Sequence, residues 1–141
     1  MTEQMKQEIT ELIDKAKVVY VSSIDKNGYP NTEAVLSLQH DGLRIHYIST
    51  NFSTRRVSQF KANPKACIYY CNELSYQGFM LTGTMEICTD PYHRELLWRE
   101  GFEVYYPKGV TDDDYCVLKF TADKGRYYPG SLQTFDISEL D

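Results

Sequence analysis

The chain has 141 residues, 42% hydrophobic and 13% aromatic, enough to build one proper core and too few for two. A formal charge of −5 argues against general binding to nucleic acid or to an anionic membrane surface, both of which favour a basic face. No apolar run approaches the ~18 residues of a membrane span. The polar start Met1-Thr2-Glu3-Gln4 shows no signal-peptide core, and four cysteines that read as reduced thiols imply the cytoplasm.

Met5, Ile9, Leu12, Ile13 and Ala16 recur at helical spacing and predict an amphipathic N-terminal helix. From Val18 to Ile24 the residues are β-branched or aromatic, a first strand, and a turn centred on Asn27-Gly28 follows. Alternation over 32–38 gives a second strand, His40-Asp41-Gly42 a turn, and Leu43–Ile48 a third strand. Next comes a hydroxyl-rich turn, Ser49, Thr50, Ser53 and Thr54, that opens a short helix at Arg55-Arg56 and ends at Asn63-Pro64. Lys65–Cys71 is a fourth strand and Gly78–Cys88 a fifth. In the fifth, Gly83 marks a bulge, a bend or a close approach of another backbone. Asp90-Pro91 starts a helix over 92–100 that Gly101 ends, and residues 105–114 read as a loop. Tyr115–Ala122 and Arg126–Tyr128 are the closing strands.

Antiparallel strands joined by tight turns, with helices inserted between them, predict a mainly β (α+β) fold. It is an antiparallel split β-barrel of six to seven strands with peripheral helices, one domain over residues 1–141. Cys67, Cys71, Cys88 and Cys116 form no CxxC pair and have no histidine at zinc-like spacing, so they read as reduced thiols and no metal site is expected. His46 reads as a satisfied strand histidine, Trp98 as packing, and Asp112–Asp114 as a solvated loop.

The most informative segment is 48–71. Small hydroxyls and two adjacent arginines sit where the first N–H groups of a helix have no internal partner. A phosphate suits such a pocket, because charge-assisted bonds to guanidinium are roughly twice as strong as neutral ones. An ordinary capped helix with solvated arginines is the competing local reading.

Thr50-Asn-Phe-Ser-Thr-Arg-Arg56, Asn63-Pro64 before a strand, and Gly28-Tyr-Pro30 leading to Glu33-Ala-Val-Leu36 resemble the FMN-binding split barrel of the pyridoxamine 5'-phosphate-oxidase-like superfamily. The resemblance spans roughly Glu8 to Gly130 and is closest to the branch of small general-stress and flavin-binding proteins. It implies that Arg55 and Arg56 hold the FMN phosphate and that Ser49 and Thr50 lie at the flavin and ribityl chain. It places the backbone of Ala34 and Val35 beside the ring and puts Gln77 one position from a family glutamine near it. It sets Tyr127 and Tyr128 near an aromatic that the family supplies from the partner subunit of a homodimer. Strands with apolar residues on both faces point to a homodimer independently.

The departures matter as much. The true oxidases have an arginine near the place of Glu33, a lysine near that of Leu38, and a C-terminal Arg-x-His-type motif, whereas this chain ends Thr134–Asp141. Vitamin B6 oxidation is therefore not expected. The expectation is an FMN-dependent oxidoreductase that takes electrons from a reduced nicotinamide cofactor, NADH or NADPH, and gives them to a small acceptor. Two alternatives stay open: a flavin-binding stress or storage protein without turnover, and the same barrel holding deazaflavin or haem.

Overall fold

Helix α1 (Glu3–Lys15) starts at Thr2, whose hydroxyl accepts from the Met5 N–H at 3.1 Å, and it buries the stripe Ile9, Leu12 and Ile13. This computed structural model describes residues 1–141. The strands that follow are β1 (Val18–Ile24), β2 (Pro30–Leu36), β3 (Gln39–Asp41) and β4 (Ile45–Asn51). After helix α2 (Arg55–Ala62) come β5 (Lys65–Asn72) and β6 (Gln77–Cys88), then helix α3 (Pro91–Leu97), β7 (Tyr115–Tyr128) and β8 (Phe135–Ile137). Every pairing is antiparallel, in the order β2-β1-β5-β6-β7-β4-β3, with β8 added to β7. The curled sheet is the expected split barrel, with the short strands β3 and β8 added and the two expected closing strands joined into β7.

Alternation on the strands builds one main core. Val19, Val21, Ile48, Ile68, Phe79, Leu81, Leu118 and Phe120 point inward and meet the α1 stripe. A second cluster gathers Leu97, Phe102, Tyr106, Tyr115 and Val117 beneath α3. Trp98 packs there, 5.4 Å from the Tyr115 ring and 5.8 Å from that of Phe102, as its packing role required. That role shortens α3: Trp98 turns to extended backbone at φ −60°, ψ 133°, and the helix ends at Leu97 instead of running to 100.

Three other expectations are corrected. The strand after Ala122 does not stop; β7 runs through to Tyr128, and the polar break at Asp123-Lys124 is a one-residue bulge opposite Thr82 and Gly83. A Cβ on Gly83 would sit 2.1 Å from the Thr121 carbonyl oxygen, so the close approach is to backbone. The His40-Asp41 turn is instead part of β3, which pairs with β4 around Gly42. Ser49 and Thr50 lie within β4, paired with Val117 and Cys116, and the turn itself is confined to 52–54. All four cysteines are free thiols.

His46 is 1% exposed and fully satisfied. The Tyr70 hydroxyl donates to its Nδ1 at 2.8 Å, and its Nε2–H donates to the Leu43 carbonyl at 2.9 Å. Burial lowers its pKa to about 4, so the ring is neutral at ordinary pH. On the outside of β2, β1 and β5, the apolar side chains of Val18, Leu36 and Tyr69 remain exposed.

Candidate functional site

The open seam of the barrel lies between the edge strand β2 and the β4–α2 corner, and the arginine pair sits there. Arg56 reaches back from α2: Nη1 donates to Thr50 Oγ1 at 2.7 Å, and Nη2 donates to the Glu33 carboxylate on β2. One guanidinium thus ties Thr50 and Glu33, the residue before Ala34 and Val35 on β2, to the start of α2. Arg55 is exposed and unpaired, and Lys61 lies 4.0 Å above the Phe52 ring. Ser49 faces the Tyr106 phenol, whose pKa burial pushes up against the pull of that hydroxyl.

The start of α2 differs from those of the other helices. Thr2 caps α1, and the Asp90 carboxylate caps α3 by accepting from the His93 N–H at 3.1 Å. Thr54, the residue before α2, makes no side-chain cap bond; its hydroxyl lies 3.5 Å from Thr50 Oγ1. The first N–H groups of α2 therefore lack a side-chain acceptor and point outward beside Arg55.

Not every hydroxyl in the loop is free. Asp114, read from the sequence as a solvated residue, clamps the turn. Its carboxylate accepts from Ser53 N at 2.8 Å, Ser53 Oγ at 3.1 Å and Asn51 Nδ2 at 2.9 Å, and its carbonyl accepts from Phe52 N at 2.6 Å. Burial pushes this carboxyl up, but the donors from Asn51 and Ser53 outweigh it and hold the group below its ordinary range. Asp112 is buried and accepts from the N–H groups of Lys108 and Asp114, both at 2.9 Å, which lower its pKa. The acidic run is thus the brace of the loop. No local signal reveals this, because Ser53 and Asp114 are 61 residues apart.

Gln77 and Tyr128 are not brought to the arginines. Gln77 starts β6, where Nε2 donates to the Tyr127 hydroxyl at 2.9 Å, and the neighbouring Gly78 pairs with Tyr128. Tyr128 lies eleven residues along β7 from Val117, the partner of Ser49, which is about 35 Å of extended chain. A groove of about 770 Å³ lies at that far end, lined in part by Glu8, Leu12, Tyr20, Cys71 and Gln77. Ser49 and Gln77 therefore lie beside opposite ends of β7.

The spacing rule for metals also missed a cluster. Cys88, Asp90 and His93 come within 4.8 Å of one another. The His93 ring already donates through Nδ1 to the capping carboxylate at 2.8 Å, which accounts for that pair.

The sequence profile of the pyridoxamine 5'-phosphate oxidase family matches residues 5–128, and the chain belongs to that family. A solved structure from Clostridium acetobutylicum, a protein related to general stress protein 26 of Bacillus subtilis, is 42% identical. The match covers 98% of this chain and 96% of that one, with a TM-score of 0.89. General stress protein 26 from Bacillus anthracis shares the fold at 17% identity, covering 95% of this chain and 99% of its own, with a TM-score of 0.78. A haem-binding protein from Mycobacterium smegmatis shares it at 12% identity, covering 98% of this chain and 59% of its own, with a TM-score of 0.74. No curated protein matches the chain. No helix is long and apolar enough to cross a membrane.

Proposed function

We propose that this protein binds FMN with its phosphate at the start of α2 and acts as an FMN-dependent oxidoreductase. The observation that carries the reading is the uncapped α2 start, with unpaired Arg55 beside it and Arg56 oriented by Thr50. These groups fit a phosphate ester: outward N–H donors, a positive helix end and one free guanidinium. FMN, when bound, supplies hydride and electron transfer, which asks of the protein only position and electrostatics. The side chains of Arg55 and Arg56 would anchor the phosphate, Ser49 and Thr50 would line the sugar-alcohol chain, and the β2 backbone at Ala34 and Val35 would flank the ring. The electron donor is a reduced nicotinamide and the acceptor a small molecule.

The separation along β7 between Val117, the partner of Ser49, and Tyr128 favours a homodimer, in which a second copy brings its Gln77–Tyr128 end to the first copy's arginines. Exposed Val18, Leu36 and Tyr69 supply apolar surface for such an interface. Pyridoxamine phosphate is not the expected substrate, since Glu33 is paired to Arg56 and Leu38 packs beside the second core. Haem is the weaker reading at this site: both ring nitrogens of His40 and of His46 are engaged, and His93, which keeps Nε2 free, lies on α3 rather than beside the arginines.

The test is anaerobic mixing of the FMN-loaded protein with NADH and with NADPH. Bleaching of the flavin, reversed by a quinone or nitro compound, is the expected result. FMN that binds but never bleaches would make this a flavin-binding protein without turnover. A visible spectrum of deazaflavin or haem in the purified protein would overturn the FMN assignment.

A further inference from the structure

We propose that Glu33 is an internal rival for the phosphate-site arginine, so that this barrel holds phosphate esters in ready exchange rather than as a permanent group. The proposal rests on the phosphate reading of the α2 start given above. Glu33 sits on the edge strand β2, where it pairs with Val21 of β1, and its carboxylate crosses the seam to Arg56. The Arg56 side chain is 16% exposed and that of Glu33 is 52% exposed, so the pair is half-shielded on the arginine side and open to water on the other.

A guanidinium fork binds one planar anion well. In Arg56, one terminal nitrogen is committed to Thr50 and the other to Glu33. An arriving phosphate meets Arg55 free, but it gains Arg56 only by displacing a carboxylate that remains tethered beside it. That carboxylate then repels the phosphate, and the repulsion grows with the charge of the ester. A phosphate monoester, which carries up to two charges, is penalised most, and an uncharged flavin is not penalised at all. Discrimination by charge is therefore built into β2, at the position before Ala34.

Fluorescence titration of FMN and of riboflavin against wild type, Glu33→Gln and Glu33→Ala tests this. Both variants should bind FMN at least about tenfold tighter and release it correspondingly more slowly, with riboflavin affinity unchanged. The alanine variant separates loss of charge from any new bond made by the glutamine amide, and melting without flavin checks that each variant is folded. FMN affinity that stays the same or falls in both variants would overturn the proposal, because Glu33 would then only position Arg56. Failure of FMN to bind wild type and variants alike would overturn the flavin reading itself, and this inference with it.

Discussion

Replacing Asp114 by alanine removes three hydrogen bonds to a carboxylate, from Ser53 N, Ser53 Oγ and Asn51 Nδ2. Bonds to a charged acceptor contribute ~1.5–3 kcal/mol each when shielded. This carboxylate is partly open to water, so roughly 1 kcal/mol each, about 2–3 kcal/mol in all, is the expected loss. For a domain of this size that lowers the melting temperature by about 6–12 °C. The pH dependence carries a sign. The donors hold the folded pKa below the ordinary carboxylate value. The stabilisation is therefore fully present above that ordinary value and is lost as the pH falls through the folded one. Urea unfolding of wild type and Asp114→Ala should show a constant gap from pH 7 to about 5, closing below about 4. The variant should also bind FMN more weakly, because the 52–54 turn no longer presents the α2 start rigidly. A gap under about 0.5 kcal/mol at pH 7, the range of a neutral surface change, would refute the brace.

His46→Gln tests the buried histidine. With a folded pKa of about 4, below the ordinary value, the unfolded chain takes up the proton first as pH falls. Wild type should thus lose up to about 3 kcal/mol between pH 6.5 and 4; denaturant curves of the variant should be flatter there, and an equal slope would be contrary. Gly83→Ala should destabilise by about 2–4 kcal/mol, since the added methyl meets the fixed Thr121 carbonyl, while Thr84→Ala on the exposed face should change the urea midpoint little. Sedimentation at micromolar concentration should show a dimer that FMN strengthens; a folded monomer binding FMN with full affinity would contradict a shared site.

Periodicity made the barrel legible. Alternation in β1 and β6, the Asn27-Gly28 turn and the helical stripe of α1 all lie in short windows, where local sequence and tertiary burial agree. The arginine pair was legible for the same reason, as a cluster within seven residues. What the sequence hid is long-range. The brace of the loop by Asp114 and the pairing of Arg56 with Glu33 join residues 61 and 23 apart, on elements whose neighbours no spacing rule predicts. The break seen in β7 was misread because a bulge and a strand end look alike in one chain, and only the partner Gly83 distinguishes them. The separation of Tyr128 from Ser49 follows from strand register, which local pattern does not fix.

The central claim, a phosphate held at the start of α2, is tested most directly by comparing FMN with riboflavin in wild type and in Arg55→Ala/Arg56→Ala. Flavin fluorescence quenching should show wild type binding FMN tighter than riboflavin by about one to two orders of magnitude, even with Glu33 in place. The double variant should lose that whole preference, about 1.4–2.7 kcal/mol of FMN affinity, and bind the two flavins equally, with riboflavin unchanged. Equal affinities in wild type, or a preference for FMN that survives loss of both arginines, would contradict the account.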